Sequence, residues 1–558
     1  MTSRRPDPTG ALLAGIPLTF LGLFFLYPVA SVLAKGLADA GELRLDALSR
    51  VVLDPRLRGV AWFTVWQATL STLLTMAAAL PGSYLVARYD FPGKRFVRAA
   101  ATVPFVLPTV VVASAFLSLL GPRSPLNPLI QGWFDLADPP LRLQHTIWAI
   151  LIAHIFYNYA VVLRTVGGAW SQLDPAVEEA ARVLGASRWQ AFREVTLPLL
   201  RPAVVAAASI VFLFTFTSFG VVLLLGGPRF ATLEVEIYRQ TAQLLNLPVA
   251  SALAMVQMAG VFLLLVAYSR YEEHRAVIWR MRPARQVSRR PRSIAEWATV
   301  GAILAGMALL LAAPLLVLVE RSLAGAEGYG LSFYQALSES RRGSTLFVPP
   351  IEAIRNSLAF AAGATGIALA VGTMASVVVA RRRGWASRLF DAVLMLPLGT
   401  SAVTVGLGFL IALDRPPLNL RASPLLIPIA HALVAIPFVV RAVAPVVRSI
   451  DQRLREAASM LGAAPRRVWR EVDLPLVSRS LLVAAGFAFA VSLGEFGATV
   501  FIARPDFPTL PIAIFRFLGQ PGGLNFGQAM AMSSILMAIT AMAILVIERF
   551  RIGEVGGF

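Results

Sequence analysis

Three carboxylates stand where a side chain could do chemistry: Glu179, Glu456 and Glu495. Glu179 and Glu456 occupy matching segments 277 residues apart, so a basic partner of one could also bind the other. Glu495 lies within a long apolar run, where an ionised side chain costs about 3 kcal/mol on insertion scales and therefore needs a partner or a water-filled path. Each of these carboxylates can pair with a basic group or a cation.

Other chemistries find little support in the sequence. The chain has no cysteine, which removes disulfides and thiolate metal sites and leaves the redox compartment open. It lacks a G-x-x-x-x-G-K-[ST] phosphate loop, since its only Gly-Lys pair is Gly93-Lys94, so it cannot itself be an ATPase. A membrane-embedded enzyme would need repeated acid–base pairs or a histidine-rich site. The four histidines are too scattered for such a site or for a metal cluster: His145, His154, His274 and His431.

The elements that position these carboxylates belong in a lipid bilayer. The chain is 57% hydrophobic and only 15% charged, with a mean hydropathy of +0.70, whereas soluble domains carry about 25% charged residues. A membrane crossing needs about 20 apolar residues, and its backbone groups must be satisfied within the segment, which favours helices. The sequence predicts an all-α membrane protein with twelve transmembrane helices near 11–34, 61–87, 99–120, 146–166, 202–225, 249–269, 295–319, 356–380, 390–413, 424–447, 480–503 and 526–547.

The distribution of positive charge predicts the orientation of these helices. Lys and Arg are concentrated on the side that carries both termini, which the positive-inside rule assigns to the cytoplasm. Lipid insertion and anionic headgroups explain the net charge of +19 without any nucleic-acid partner. The first apolar run follows Arg4 and Arg5 and is longer than a signal-peptide core, so it is expected to be retained as a helix.

The chain is an internal duplication with an offset of 277 residues. Between Asp174–Pro198 and Asp451–Pro475, 12 of 25 aligned residues are identical. Because each copy contains six predicted helices, the two copies share one membrane orientation. The sequence predicts a first half at 1–269, a basic cytoplasmic linker at 270–294 and a second half at 295–558. Parallel repeats also occur in secondary carriers, so the symmetry alone does not select a transport mechanism.

Each half contains a short amphipathic segment in a cytoplasmic loop. Asp174 can cap a helix that begins at Pro175, and Gly185 can end it by adopting a positive φ. An apolar stripe follows the helical spacing, and a second short helix is expected to run toward Leu197-Pro198. The stripe recurs in the second copy: Val177, Ala180, Ala181 and Leu184 correspond to Leu454, Ala457, Ala458 and Leu461.

The two segments, "EAARVLGASRWQAFREVTLP" and "EAASMLGAAPRRVWREVDLP", resemble the EAA signature loop of permeases of binding-protein-dependent ABC importers. In that family the loop forms a coupling helix that docks in a cleft of the ATPase subunit. The resemblance implies two copies of an ABC ATPase, which would bind ATP and Mg, and one periplasmic or lipid-anchored solute-binding protein. It also implies a multi-pass protein of the bacterial cytoplasmic membrane. The residues to which it gives the coupling role are Glu179, Ala180, Ala181 and Gly185 in the first half and Glu456, Ala457, Ala458 and Gly462 in the second.

A purely structural role for the two glutamates is the alternative. Glu179 could pair with Arg182 within its own helix, which is worth a few tenths of a kcal/mol. Glu456 has no basic residue three or four positions ahead, only Arg453 behind it. The structural alternative is therefore weaker for the second copy.

The fifth helix of each half is the candidate for the translocation path. Phe219 corresponds to Phe496, and Glu495 corresponds to Ser218. Phe219, Glu495 and Phe496 are therefore candidate path residues, and Glu495 with nearby aromatic rings could favour a cationic solute. Two structural alternatives remain open: the aromatic rings pack within the helix bundle, and Glu495 stabilises the bundle through a hydrogen bond.

The substrate is predicted only from resemblance. Two complete halves in one chain, with "SFGVVLLLGG" and "SLGEFGATVF", resemble the fused permeases of the thiamine and ferric-iron importer group, and thiamine is the favoured solute. Ferric iron, an oxyanion suggested by "GEFGAT", and a secondary carrier driven by an ion gradient are the alternatives. The outer segments 35–59, 121–145 and 320–355 are candidate docking surfaces for the binding protein.

Overall fold

The computed structural model describes residues 8–39, 42–43, 46–275, 288–325, 328–339, 346–381, 384–414 and 418–550. Arg4 and Arg5, the central part of the predicted linker at 276–287, and short parts of the outer segments 35–59 and 320–355 lie outside these ranges. Within the described residues, ten helices are long and apolar enough to cross a membrane, or up to twelve if each of two bent helix pairs is one span. This confirms the all-α membrane class.

The helices up to residue 275 form a first series, which covers the predicted first half and continues into the predicted linker. They are α1 (Pro8–Leu21), α2 (Tyr27–Leu37), α3 (Asp46–Leu53), α4 (Pro55–Arg88), α5 (Lys94–Ala100), α6 (Val103–Val106), α7 (Thr109–Leu119), α8 (Leu126–Phe134), α9 (Ile147–Trp170), α10 (Pro175–Val183), α11 (Arg188–Ala191), α12 (Leu197–Phe216), α13 (Gly220–Leu225), α14 (Leu233–Tyr238) and α15 (Leu247–Arg275).

The helices after the linker form a second series. They are α16 (Ile294–Leu323), α17 (Ser332–Gln335), α18 (Pro350–Arg381), α19 (Trp385–Gly399), α20 (Ala402–Ala412), α21 (Leu426–Ser449), α22 (Gln452–Met460), α23 (Pro465–Val468), α24 (Leu474–Gly494), α25 (Thr499–Ile502), α26 (Leu510–Leu518) and α27 (Gly523–Phe550). A two-residue antiparallel hairpin follows the first span of each series: β1 (Ala38–Asp39) with β2 (Glu42–Leu43), and β3 (Ala324–Gly325) with β4 (Gly328–Tyr329).

Three spans contain a wide turn placed at the same distance from a proline. The π-helical turns Gly22–Leu26, Phe192–Thr196 and Trp469–Asp473 each end two residues before a proline, at Pro28, Pro198 and Pro475. Proline has no N–H to donate to the carbonyl four residues back, and its ring clashes with that carbonyl. Widening the preceding turn to an i→i+5 hydrogen bond relieves the clash while the helix continues. The short second helix therefore runs into the fifth span without a break, as Arg188–Phe216 in one half and Pro465–Gly494 in the other.

Four of the predicted spans are broken. The third span of each half, predicted at 99–120 and 390–413, is a helix pair bent by 103° and 98° respectively. Pro108 lies at the first bend, directly before α7. At the second bend, the hydroxyl of Ser401 caps α20. The fifth spans, predicted at 202–225 and 480–503, end at Phe216 and Gly494, and a separate short helix follows each break. Average hydropathy does not register these bends, because the residues on both sides are equally apolar.

The packing units do not follow the order of the chain. One compact unit comprises Met1–Leu48, Ile237–Met255 and Ser322–Phe558, and the other comprises Ser49–Glu236 and Val256–Arg321. In the first unit, the helix α1–α2 packs on helices of the second half, with Pro28 against Gly408. In the second unit, α16 packs on α4, with Val300 in one cluster with Leu85. The predicted halves follow the sequence repeat. The compact units do not: each combines most of one half with the first span of the other half.

The repeat offset changes along the chain. The backbone N–H of Leu233 donates to the hydroxyl of Thr64 at 2.9 Å, and the N–H of Leu510 donates to the hydroxyl of Ser357 at 2.7 Å. Leu233 and Leu510 differ by 277, but Thr64 and Ser357 differ by 293. The first half therefore has 16 more residues between its second and fourth spans. The loop between its third and fourth spans carries the additional helix α8.

Candidate functional site: two coupling loops and two helix breaks

The first coupling loop, residues 171–187, folds as local sequence chemistry dictates. The carboxylate of Asp174 accepts a hydrogen bond from the N–H of Ala176 at 3.0 Å, and Pro175 takes the first helical position of α10. Gly185 ends the helix at φ 99°, a conformation that costs any residue with a Cβ. Ser187 and Gln190 then form a reciprocal capping box that starts α11.

The second coupling loop, residues 449–464, repeats this geometry. The carboxylate of Asp451 accepts from the N–H of Arg453 at 2.9 Å and caps α22. Gly462 ends the helix at φ 81°. The predicted short helix is thus present in both halves with the predicted cap and the predicted glycine.

Large apolar side chains at the end of each coupling helix face away from the protein. Val183 and Leu184 are 88% and 89% exposed, and their repeat equivalents Met460 and Leu461 are both 89% exposed. The small residues of the predicted stripe flank them, with Ala180 and Ala457 exposed and Ala181 and Ala458 half-buried. In both copies, a pair of bulky apolar side chains forms an exposed hydrophobic patch of the kind that marks a protein–protein contact.

The two predicted glutamates lie on this exposed side. Glu179 is exposed and has no ion pair or hydrogen bond among the described residues, so the pair with Arg182 that the sequence allowed is not formed there. The carboxylate of Glu456 is exposed and accepts a hydrogen bond from the amide of Gln452 at 2.9 Å. Both carboxylates are therefore accessible to a basic partner, and their coupling role stays a prediction.

An ionic cluster that the sequence reasoning missed ties the first coupling helix to two membrane spans. The guanidinium of Arg88, the last residue of α4, lies 3.2 Å from the carboxylate of Glu178. The hydroxyl of Thr196, at the base of the fifth span, donates to the same carboxylate oxygen at 3.3 Å. We call these three side chains, Arg88, Glu178 and Thr196, the first latch.

The second half has the equivalent cluster with the acid in a different place. Asp473, equivalent to Thr196, is 1% exposed and accepts from Arg381, the last residue of α18, and from Arg455, each at 2.7 Å. Arg455 occupies the position of Glu178 on the coupling helix. We call Arg381, Arg455 and Asp473 the second latch. The alignment of the two halves contains the signal for these clusters. Acidic Glu178 aligns with basic Arg455, and the hydroxyl residue Thr196 aligns with acidic Asp473.

The break after the eleventh span is organised around Glu495. Its carboxylate accepts from the N–H groups of Ala498 at 2.7 Å and Thr499 at 3.0 Å, capping α25, and also from the hydroxyl of Thr499. Nε2 of His431 lies 2.8 Å from that hydroxyl and 3.4 Å from the carboxylate. Since the Thr499 proton is used toward Glu495, Nε2 is the donor in its contact with Thr499. The hydroxyl of Ser492 completes the network 2.7 Å from Nδ1.

The break after the fifth span has a neutral version of this network. His154, the equivalent of His431, lies 2.9 Å from the hydroxyl of Ser218, which stands in place of Glu495. Its other ring nitrogen lies 2.9 Å from the hydroxyl of Ser71. Both histidines are buried. Each half therefore fastens the end of its fifth span to a histidine of its fourth span, a role that the sequence reasoning did not assign.

The candidate path residues lie at these same breaks. Phe219 and Phe496 are buried, Phe219 directly before α13 and Phe496 between α24 and α25. The ring of Phe496 packs edge-on against Phe515 at 5.4 Å, and Phe515 also contacts Tyr238 at 6.4 Å. Both oxygens of Glu495 are occupied by hydrogen bonds within the break. The translocation role of Phe219, Glu495 and Phe496 stays a prediction.

Metal chemistry finds no additional support here. Among the residues that the structure describes, no group of three His, Cys, Asp or Glu side chains could hold a metal ion. The buried network of the second half uses one histidine and one carboxylate, both engaged in hydrogen bonds. What the arrangement offers is exposed apolar surface on two helices, each tied to the bundle by charged side chains.

Comparison with known proteins places these features in a family. Residues 75–272 and 368–551 match the family described as binding-protein-dependent transport system inner membrane component. A probable ABC transporter permease of Sinorhizobium fredii is 27% identical over 95% of this chain and 94% of its own length. The thiamine transport system permease protein ThiP of Escherichia coli is 27% identical over 98% of both chains. The sulfate transport system permease protein CysT of the same organism is 30% identical but aligns with 48% of this chain and 93% of its own length.

Proposed function

The chain belongs to the family of binding-protein-dependent transport system inner membrane components, and from this premise we propose that it is the two-half permease subunit of an ATP-driven thiamine importer. As a multi-pass permease it is a transport subunit. Its place is the bacterial cytoplasmic membrane, with both termini in the cytoplasm, which the distribution of Lys and Arg supports.

Two copies of an ABC ATPase, which bind ATP and Mg, drive the cycle from the cytoplasmic side. Each copy binds one coupling helix through its exposed apolar pair, Val183-Leu184 or Met460-Leu461. Glu179 and Glu456 pair with basic groups on the ATPase. The observation that carries this proposal is the recurrence of a capped, outward-facing helix at one repeat register in both halves. Two similar surfaces suit two copies of one partner.

Closure of the ATPases on ATP draws the coupling helices together and reorients the bundle from inward-facing to outward-facing. A solute-binding protein then delivers its ligand from outside, and ATP hydrolysis resets the bundle. A path role for the residues at the two helix breaks would make Phe219, Glu495 and Phe496 the first groups to test for contact with the solute.

Thiamine is the proposed solute because a thiamine permease aligns with this chain over nearly its whole length, as two halves in one chain. The sulfate permease aligns with 48% of this chain. Thiamine carries a fixed positive charge on an aromatic ring, which buried aromatic side chains at the breaks could attract by cation–π contact.

Reconstitution tests the function directly. The permease is placed in vesicles with an ABC ATPase and a solute-binding protein from the same organism, and uptake of labelled thiamine is measured with and without Mg-ATP. We expect uptake that requires Mg-ATP and the binding protein, that survives an uncoupler and that unlabelled ferric iron does not inhibit. Uptake that an uncoupler abolishes while ATP is maintained would indicate a secondary carrier. Uptake of ferric iron in place of thiamine would replace the solute and leave the importer.

A charge-reversal pair tests the coupling role. The double variant Glu179→Lys/Glu456→Lys should lose uptake and retain less ATPase on purification, because a lysine at each position then repels the basic group that the carboxylate was to bind. The matched control is Arg182→Lys, which keeps the charge of the same helix. Full uptake by the double variant would reject the coupling role of these glutamates.

A further inference from the structure

The two latches join the same three elements in each half. In the first latch, Glu178 of the coupling helix meets Arg88 at the end of the second span and Thr196 at the base of the fifth. In the second latch, Arg455 of the coupling helix meets Asp473 at the base of the eleventh span, which also holds Arg381 from the end of the eighth span.

The acidic residue lies at different positions in the two halves, but it joins the same three elements. At the coupling helix the first half has an acid and the second half a base, and at the base of the next span the first half has a hydroxyl and the second half an acid. Either change alone would have placed two arginines together or two acids together. The two changes together preserve attraction among the three elements, as in a compensated double substitution.

We propose that the latches are the mechanical link of the importer: they make each coupling helix move as one body with the second and fifth spans of its half. Arg88, Glu178, Thr196, Arg381, Arg455 and Asp473 are positioning residues, which transmit the ATPase movement without touching ATP or solute. This inference rests on the proposed function, because it assumes that the coupling helices are moved by ATPases.

The burial of the latches explains how they can carry force. Asp473 is 1% exposed and Arg455 19% exposed, so water competes weakly for their hydrogen bonds. Arg455 also reaches the carbonyl of Val447 in the fourth span of its half at 3.4 Å. In the first latch the base is the better shielded partner, with Arg88 11% exposed and Glu178 34% exposed. In the second latch the acid is the shielded partner, because Asp473 is 1% exposed and Arg381 is 42% exposed.

Exchange of the latch chemistry tests the proposal in the complete transporter. Glu178→Arg alone faces Arg88 with a second guanidinium, and Thr196→Asp alone adds a second acid beside Glu178. The double variant Glu178→Arg/Thr196→Asp recreates the arrangement of the second half. We expect each single variant to lower thiamine transported per ATP hydrolysed at least tenfold, and the double variant to recover to within about twofold of wild type.

The ratio of transport to hydrolysis separates coupling from folding. A purely structural role would lower the amount of assembled transporter and leave this ratio unchanged in what remains. Arg479→Ala is the matched control, because Arg479 is exposed on α24 and has no ion pair among the described residues. Asp473→Asn should lower the ratio as well, and the exchange in the first half decides the question if that variant fails to assemble.

A second readout does not depend on the solute. Since the chain has no cysteine, spin labels at Ala176→Cys on α10 and Phe96→Cys, which is exposed on α5 beyond the end of α4, report one distance. With the latch intact the distance distribution should stay narrow before and after Mg-ATP, and in Glu178→Arg it should broaden. A distribution that stays narrow in Glu178→Arg, or a double variant that fails to recover the transport ratio, would overturn the latch. Absence of ATP-driven uptake in the wild type would overturn the importer itself, while its narrow distribution would still support the latch as a rigid link.

Discussion

The coupling loops and the helix breaks are both repeated at the offset of 277, yet they differ in what the repetition has kept. In the coupling loops the exposed surface is kept: a carboxylate, two alanines, a glycine and a bulky apolar pair recur at matching positions. At the breaks the connection is kept but its chemistry differs, a serine in one half and a carboxylate in the other.

This difference follows from what each region faces. Under the proposed coupling role, each exposed helix would bind a copy of the same ATPase, so both helices would have to keep the same surface. A buried break meets only its own surroundings, so each half can satisfy its polar groups in its own way provided that none is left unpaired. The latches lie between these cases, since they adjoin the exposed helix and each has at least one shielded charged group, Arg88 in the first and Asp473 in the second. They keep the attraction between the same elements while the acid and the base change places.

The largest expected effect comes from breaking the shared surface in both halves. Leu184→Arg with Leu461→Arg replaces two side chains that are each 89% exposed. Charge in the middle of an apolar contact is strongly disfavoured, so we expect ATPase to be lost on purification and thiamine uptake to fall at least a hundredfold. Each single variant should lose a similar fraction of bound ATPase, because the surfaces are equivalent.

The control for this pair keeps apolar volume. Leu184→Met with Leu461→Met should retain uptake and ATPase. Unequal losses in the two single arginine variants would show that the two loops do not meet equivalent partners, and the comparison on which the coupling surface rests would fail.

The sequence was sufficient for the coupling loops because their signals are local. Asp174 and Asp451 cap helices within two residues, and Gly185 and Gly462 end them within one turn, so spacing alone specifies the fold. The latches required tertiary information. Glu178 meets Arg88 across 90 residues, and its equivalent carries the opposite charge, so a search for shared residue types passes over it.

The bends in the third and fifth spans and the exchange of first spans between compact units could not be read from hydropathy. Both sides of each bend are apolar, and the unit in which the first span packs depends on close fits such as Pro28 against Gly408. A Cβ on Gly408 would come within 3.0 Å of the backbone carbonyl oxygen of Pro28. Such fits involve residues far apart in the chain.

A second effect should distinguish the two breaks by stability. Glu495→Ala leaves the N–H groups of Ala498 and Thr499 and the hydroxyl of Thr499 without their acceptor, and loss of one member of a buried polar cluster costs about 3 kcal/mol. Ser218→Ala removes one neutral hydrogen bond from His154 and should cost about 1 kcal/mol. Unfolding of the purified permease in mixed micelles measures both values, and equal losses would contradict the assignment of Glu495 as the organiser of its break.

A third prediction addresses the candidate path. Glu495→Gln keeps an acceptor oxygen and the side-chain volume but removes the charge. Because both carboxylate oxygens are engaged inside the break, we expect the variant to lose stability, by about 1 to 2 kcal/mol, more than it changes the KM for thiamine uptake. A tenfold rise in KM with unchanged stability would instead place Glu495 in contact with the cationic solute, and Phe219→Leu and Phe496→Leu would then be the next variants to measure.

The smallest expected effect returns to the coupling loops and should again be equal in the two halves. Gly185 and Gly462 hold φ of 99° and 81°, and a Cβ at either position would meet no atom within 4 Å. Replacement by alanine therefore adds only backbone strain, about 1 kcal/mol for the left-handed conformation, which corresponds to a roughly fivefold loss in ATPase affinity if the loop must keep this shape to bind. Asparagine tolerates positive φ better, so Gly185→Asn and Gly462→Asn should lose less than the alanine variants in the same binding assay. Alanine variants with wild-type affinity would mean that the loop binds in another conformation, and a large loss in one half only would break the equivalence of the two loops at the level of the backbone.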